Sequence, residues 1–537
     1  MSRIAFRRVI ERFARSHDGA ALLIFTIFMG ILIAAVGAGI DYARALVVQQ
    51  RLINAADATA VAVARNPSLS EAEIQSMANA YINAHYSDSD FGKVTARSVL
   101  TESDKVSVEL RAQMVTSIMQ LVGVGSVDVV AKTEVLRRQR KLEVVMVLDN
   151  TGSMCNPSCA VKLDQLKVSA NKLVDILFDG ETVSEHVKIG LVPFAATVNI
   201  GSDKVASGWL DTLGMSPLQS EDIDLPAGST LLSLYDQLSN VSWKGCVRAR
   251  SGLFGLDVTD TPPDVSFLES LWVPYFAPDE PGIGDGPGDE GLGYYHNDYL
   301  NDANIPGSAQ QKQRNASKYI GATVPSAQLS AGRGPNFNCV PQGVQALTNT
   351  KSTITSAIAG MQAAGSTVIP SGLSWGWRVV SPGAPYSQGA AYSDQDTIKA
   401  VILLTDGANQ VESNIGHNNS FYSSYGYAAS GHLGTTEGSQ ANETLDDKTA
   451  AICNNIKGNH DDVADDNDIF LYTISFVNEQ HVGVGQAAAI RTMLQTCATP
   501  DAQCPGQKCF YDSPSPADLE TAFSNIAIGL SELRIAK

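Results

Sequence analysis

The chain has 537 residues, more than one typical domain, so two or three folded units are expected. Its 38 Lys and Arg residues against 56 Asp and Glu residues give a net charge of −18, which argues against nucleic acid as a partner. A hydrophobic content of 44% and 45 glycines are typical of a globular α/β protein with many loops.

The amino terminus predicts a membrane anchor. Residues 1–18 are rich in arginine, and residues 19–40 contain no charged side chain. As a helix this second segment would be about 33 Å long, close to the ~30 Å hydrocarbon core of a bilayer. The positive-inside rule places residues 1–18 in the cytoplasm and the bulk of the chain on the other side. A cleaved signal peptide is the alternative, because residues 37–39 form a small-residue site, but the apolar run exceeds the usual ~7–15 residues.

Small residues recur along this predicted membrane helix. Gly30, Ala34 and Ala38 are spaced by four, a pattern that lets two helices approach closely in lipid. Helix–helix self-association is one interpretation, and the general frequency of small residues in membrane helices is the other.

Residues 41–67 extend the helix beyond the membrane, since they are rich in alanine and contain no glycine or proline before Pro67. The runs at 19–21 (Gly-Ala-Ala), 41–44 (Asp-Tyr-Ala-Arg) and 54–58 (Asn-Ala-Ala-Asp-Ala) resemble the amino-terminal module of TadE/TadG-like proteins of tight-adherence (Flp) pilus assembly. The resemblance implies a single-pass protein of the bacterial inner membrane, largely periplasmic, with other pilus-assembly proteins as partners. Cleavable pilins often carry glutamate five residues after the processed glycine. Counted from Gly19, this chain has Ile24 at that position, which argues against cleavage by a prepilin peptidase.

Residues 68–140 predict a small α+β domain. A helix is expected to open at Ser70, where Glu73 completes a capping box. Between Lys93 and Arg137 the apolar residues alternate, which predicts antiparallel strands with one solvated face.

Residues 141–537 predict a doubly wound parallel sheet, because strand-like and helix-like runs alternate along the chain. Two insertions, about 202–338 and 408–444, break the rhythm and are expected to be binding surfaces or mobile lids. Acidic segments at 279–302 and 461–468 lack the spacing of a calcium loop, so solvated loops are expected there.

Two apolar runs in this domain, 142–149 and 400–406, end in oxygen-bearing side chains. Asp149, Thr151 and Ser153 follow the first run, and Asp406 follows the second. Ligands of open α/β sheets bind at the carboxyl ends of the strands. Two carboxylates and two hydroxyls there predict a Mg²⁺ site, with Mn²⁺ or Ca²⁺ as alternatives. The competing interpretation is structural, since Asp149 could cap a helix and Asp406 could form a turn.

These residues resemble the metal-ion-dependent adhesion site of von Willebrand factor A domains. Its first motif matches Asp149-x-Thr151-x-Ser153, its threonine motif matches Thr367 in the segment 365–373, and its third motif matches Asp406, all in the family's order. The resemblance implies a von Willebrand factor A-type fold and a metal whose coordination is completed by an acidic residue of a protein partner. We therefore expect a metal-dependent binding component of pilus assembly rather than an enzyme.

Two other functions follow from the same residues. One is a processed surface or secreted adhesin that binds host or matrix ligands through the metal. The other is a metal-dependent hydrolase, which is disfavoured because the chain has no G-x-S-x-G or H-E-x-x-H motif.

The eight cysteines fit an oxidising compartment such as the periplasm. No histidine accompanies the close pairs at zinc-site spacing. Among the 105 connectivities that eight cysteines allow, we propose Cys155–Cys159, Cys246–Cys339, Cys453–Cys497 and Cys504–Cys509.

Overall fold

In the computed structural model the chain divides into two compact units, residues 1–139 with 535–537, and residues 140–534. The structure describes residues 17–64, 66, 70–87, 92–101, 105–136, 140–282, 295–413, 416–458, 469–504 and 508–535. The predicted boundary after residue 140 differs from the observed one by a single position. The acidic segment 461–468, and residues 283–294 of the acidic segment 279–302, lie outside the described residues.

The first unit is organised by one long helix, α1 (His17–Ala64). At 1.5 Å per residue it is about 72 Å long. Leu22–Ala64 is the one helix of the described residues that is long and apolar enough to cross a membrane. Its first half exposes large apolar side chains, whereas in its second half buried residues recur every three or four positions, from Val48 to Val63.

A second helix and a three-stranded sheet pack on the distal half of α1. Helix α2 (Glu71–His85) opens with the predicted capping box at Ser70. The sheet is antiparallel, in the order β1 (Lys93–Thr101), β2 (Lys105–Val115), β3 (Ser126–Leu136). Alternate residues of β2 are buried, as expected for a sheet with one solvated face. The helical extension and the small α+β segment, predicted as separate regions, share one core.

The second unit contains an eight-stranded sheet with a parallel centre. The strands are β4 (Lys141–Asp149), β5 (Val187–Phe194), β6 (Val198–Asn199), β7 (Cys246–Val247), β8 (Gln345–Thr348), β9 (Thr397–Thr405), β10 (Ile469–Ser475) and β11 (Phe510–Asp512). Their order in the sheet is β11-β10-β9-β4-β5-β6-β7, and β8 pairs with β5. The pairs from β11 to β5 are parallel, and the short β6, β7 and β8 pair antiparallel.

Helices cover both faces of this sheet. The helices of this unit are α3 (Leu163–Phe178), α4 (Leu231–Gln237), α5 (Ala309–Arg314), α6 (Ser326–Ser330), α7 (Lys351–Ala359), α8 (Ile369–Val380), α9 (Ala441–Gly458), α10 (Glu479–Val482), α11 (Val484–Cys497) and α12 (Pro516–Ile535). Along β4, Val145 and Val147 face one apolar core, and Val144 and Met146 face the other. Burial on both faces explains the uninterrupted apolar runs of the central strands. The predicted doubly wound α/β architecture is confirmed.

The insertion 202–338 packs into the domain rather than standing apart as a lid. Trp272 and Phe276 lie in the same core as β4 and β5. The expectation of a solvated acidic loop is wrong at its two ends, where Asp279, Glu280 and Asp302 are buried. Asp279 is 2.9 Å from the Lys318 ammonium, so a partner distant in sequence compensates its charge.

All eight cysteines are paired in the structure. The bonds are Cys155–Cys159, Cys246–Cys339, Cys453–Cys497 and Cys504–Cys509, the same four that were proposed from the sequence.

Candidate metal centre

The predicted site lies where the strand order of the large sheet reverses. The chain moves from β4 to β5 on one side, and β9 then returns to the other side of β4. Leu148 of β4 is paired with Leu404 of β9, so the carboxyl ends of the two strands meet side by side. Such a switch point opens a crevice at the sheet edge. Asp149 and Asp406 are both delivered there.

Asp149 is fully buried at the end of β4. Its Oδ1 accepts a hydrogen bond from the backbone N–H of Thr151 (2.8 Å), and its Oδ2 accepts one from the Thr405 hydroxyl (2.7 Å). Burial, and then the nearby charge of Asp406, raise the pKa of Asp149 to about 7. Removal from water disfavours the charged form of a carboxyl group, and a second carboxylate adds repulsion. Both hydrogen-bond donors to Asp149 are neutral groups, so neither offsets the charge of an ionised carboxylate.

The two predicted hydroxyl ligands connect the first loop to Asp406. The Oγ1 of Thr151 lies 2.8 Å from the Oγ of Ser153, and that hydroxyl donates to Oδ1 of Asp406 (2.6 Å). A short 3-10 turn at Gly152–Cys155 brings Ser153 back toward the sheet. Four of the five predicted ligands are thus in one hydrogen-bonded group.

Thr367, the fifth predicted ligand, lies in a loop held against the first one by the backbone. The Gly152 N–H donates to the Gly365 carbonyl (2.9 Å), and the Ala364 N–H donates to the Asn150 carbonyl (2.7 Å). Thr367 is buried, and its carbonyl accepts from the Gln410 N–H in the loop that follows Asp406. The three predicted motifs therefore occupy three loops in mutual contact.

Sequence reasoning missed two residues of the site. The Lys162 ammonium lies 2.5 Å from Oδ2 of Asp406 and 3.3 Å from the Ser153 carbonyl oxygen, and Lys162 is buried. Asn409 accepts from the Ile369 N–H at the start of α8 and donates to Asp446 of α9, so it fixes the third loop. A lysine at a helix start opposes the helix dipole, and that conflict was the available signal for Lys162.

The group of side chains fits a hard divalent cation. Two carboxylates against one ammonium leave an excess of negative charge. The pKa of Asp149 is raised first by burial and then by the charge of Asp406. Carboxylate and hydroxyl oxygens are the donors that Mg²⁺ accepts, and Mg²⁺ keeps several waters. The described residues contain no cluster of three or more His, Cys, Asp or Glu side chains suited to a metal. A cation here would therefore depend on Thr151 and Ser153 beside Asp149 and Asp406.

The amino-terminal helix matches a known family model. Residues 19–66 match the family described as putative Flp pilus-assembly TadE/G-like. The amino-terminal part of the chain thus carries a TadE/G-like pilus-assembly domain. No curated protein of similar sequence was found.

Solved structures of two pilus proteins and of a mussel byssus protein share a distant likeness with the chain. The pilus adhesin SpaC from Lactobacillus rhamnosus GG is 10% identical over 83% of this chain and 35% of that chain, with a TM-score of 0.31. The chain thus spans about a third of SpaC. The vWF domain of the type V pili tip protein Mfa5 from Porphyromonas gingivalis is 10% identical over 74% of this chain and 97% of that chain, with a TM-score of 0.32. Proximal thread matrix protein 1 from the mussel byssus is 12% identical over 72% of this chain and 46% of that chain, with a TM-score of 0.27. Likenesses at this level do not extend to ligands or function.

Proposed function

We propose that the protein is a membrane-anchored, metal-dependent protein-binding component of tight-adherence (Flp) pilus assembly. The observation that carries the pilus assignment is the family match at residues 19–66. Helix α1 would cross the bacterial inner membrane once, with residues 1–18 in the cytoplasm and the large α/β unit in the periplasm. Four disulfides suit that oxidising compartment.

The proposed binding site is the switch-point crevice of the large sheet. Asp149, Thr151, Ser153 and Asp406 would hold Mg²⁺, and Thr367 would join them directly or through water. A bound Mg²⁺ would offer a coordination position to an acidic side chain of a protein partner. The chain's own residues would hold the ion at the carboxyl edge of the parallel strands. This mechanism is binding and requires no catalytic step.

The test is pilus formation in the source organism. Pili would be counted by electron microscopy in the wild type, in a deletion strain and in a strain with Asp149→Ala, while immunoblotting of membranes checks protein level. Asp164→Ala is a matched control, because Asp164 is an exposed carboxylate on α3 outside the metal group. We expect the deletion and Asp149→Ala to abolish pili, and Asp164→Ala to preserve them.

Other outcomes would redirect the assignment. Normal pili in the deletion strain would reject a role in assembly and favour the adhesin alternative. Loss of pili in the deletion strain alone, with Asp149→Ala indistinguishable from wild type, would retain the assembly role and reject metal dependence.

A further inference from the structure

The hairpin between β2 and β3 carries an exposed apolar tip. No charged residue occurs between Arg111 and Asp128. Leu121 is 78% exposed and Val122 is 59% exposed, values that are high for large apolar side chains in a folded turn. The tip is ordered by its own backbone, since Met119–Val122 forms a 3-10 turn that ends at Gly123 in the left-handed region. The exposed apolar surface is therefore a fixed feature of the unit.

The base of this tip is locked to α1 at the end of the apolar segment. Asp41 is buried, and its carboxylate accepts hydrogen bonds at 2.9 Å from the backbone N–H groups of Ser117, Ile118 and Met119. Arg44 donates to the Ser117 hydroxyl and pairs with Asp41. Asp41 and Arg44 are the first two charged residues after the uncharged segment 19–40, and both bind the hairpin.

Ile118 also packs against the apolar segment itself. A Cβ atom at Gly37 would overlap the Ile118 side chain, so the absence of a side chain at Gly37 makes room for it. Gly37 lies three residues, about 4.5 Å, before the end of the uncharged segment 19–40. The hairpin therefore reaches back beside the part of the helix that would lie in the hydrocarbon.

The direction of the strands supports the same placement. Asp41 contacts residues 117–119, and Asp57 accepts a hydrogen bond from the hydroxyl of Thr133, further along β3. β3 and α1 therefore run in the same direction, away from the apolar segment. The β2–β3 turn must then point toward the apolar segment, and the β1–β2 turn must point away from it.

We infer that the hairpin tip, residues 118–124, inserts into the outer leaflet of the membrane that α1 crosses, as a second contact with lipid. This inference rests on the proposed membrane anchoring by α1. Leu121 and Val122 supply the apolar contact, and Asp41 fixes the angle between helix and hairpin. Apolar surface of this kind is removed from water when it enters the boundary between headgroups and acyl chains. The partner that covers the exposed tip is thus the lipid bilayer.

Fluorescent labelling of the full chain in lipid vesicles tests the inference. All eight native cysteines are in disulfides, so an introduced cysteine is the reactive thiol. Leu121→Cys and Val122→Cys would carry the environment-sensitive label NBD at the tip. Leu100→Cys is the matched control, an exposed leucine (61%) of the same sheet near the β1–β2 turn. Ile31→Cys reports separately on the membrane helix.

We expect the labels at 121 and 122 to be quenched by nitroxide-bearing lipids and several-fold protected from aqueous iodide relative to the label at 100. If iodide quenches the labels at 121 and 122 as strongly as the label at 100, while the label at 31 is in lipid, insertion of the hairpin is rejected. The membrane anchoring by α1 would then still stand. Protection from iodide without quenching by nitroxide lipids would indicate a protein contact and also reject it. Iodide access at 31 would reject the anchoring on which the inference depends.

Discussion

The Lys162 ammonium lies 2.5 Å from Oδ2 of Asp406, inside the group of side chains that the sequence predicts to bind a metal. A lysine in this position supplies one positive charge to a site with two carboxylates. It satisfies Asp406 but leaves Asp149, whose pKa is raised, without a cationic partner among its hydrogen bonds. Lys162 and a divalent cation therefore compete for the same carboxylate.

Removing this lysine is expected to tighten metal binding. In Lys162→Met the Asp406 carboxylate is released from a charge-assisted hydrogen bond worth about 1.5–3 kcal/mol. Mg²⁺ affinity should rise by about tenfold or more, since about 1.4 kcal/mol corresponds to a factor of ten. Isothermal titration with MgCl₂ measures this, with Lys167→Met as control because Lys167 is on the same helix and faces Asp164. A weaker Mg²⁺ affinity in Lys162→Met would mean that the ammonium supports the metal rather than competing with it.

The stability of the metal-free protein should fall as pH rises toward 8. The folded carboxyl of Asp149 has a pKa of about 7, above the ~3.9 of an unfolded chain, so the folded state binds the extra proton between these values. Raising the pH from 5 to 8 in EDTA should therefore lower the unfolding free energy by about 2.7 kcal/mol, most of it between pH 5 and 7. Mg²⁺ binds the ionised carboxylate, so its stabilising effect should grow over the same range.

Urea unfolding at several pH values, in EDTA and in MgCl₂, measures both effects. Asp149→Asn removes the titrating group and should remove this part of the slope as well. An identical pH slope in the variant would assign the effect to other buried carboxyl groups, such as Asp222 or Glu280, whose pKa values burial also raises.

Local sequence patterns were sufficient to predict the carboxylates at the sheet edge. They were insufficient to predict the charged side chains that pair with distant parts of the chain. Asp149 and Asp406 could be placed together because each ends a buried strand, and parallel strands end at one edge. The sequence did not predict Lys162 beside Asp406, because the direction of its ammonium group depends on a carboxylate 244 positions away. Asp279 was placed in solvent for the same reason, since its partner Lys318 is brought near only by the folded insertion. The spacing of Val48, Leu52 and Val63 does indicate the buried face of α1. The prediction of a helical extension did not use it, because the membrane segment gave the stronger signal.

The disulfide Cys246–Cys339 is expected to contribute more stability than Cys504–Cys509. The first closes a segment of 93 residues and the second one of 5 residues. In the chain-entropy model, a loop of about 100 residues is worth roughly 4.7 kcal/mol, and shorter loops contribute less. Cys246 also lies in an aromatic cluster with Tyr275 and Tyr422, so loss of the bond loosens packing between the two insertions.

Paired serine variants test this ranking by urea unfolding. Cys246→Ser/Cys339→Ser should lower the unfolding free energy by several kcal/mol, and Cys504→Ser/Cys509→Ser by clearly less. Equal losses in the two variants would show that local packing at each bond, rather than loop length, determines the contribution.

The Asp41 carboxylate is expected to hold the β2–β3 hairpin in place. Asp41→Ala leaves three backbone N–H groups without their acceptor, at a cost of about 1–3 kcal/mol for each one that remains buried and unpaired. Hydrogen exchange at Ser117, Ile118 and Met119 should accelerate by at least tenfold in the variant. Asp57→Ala is the matched control, because Asp57 is on the same helix and accepts one hydrogen bond from the sheet at Thr133. Accelerated exchange across the whole sheet in Asp41→Ala would show general unfolding instead, whereas unchanged exchange at 117–119 would show that Gly37 and Ile118 suffice to fix the hairpin.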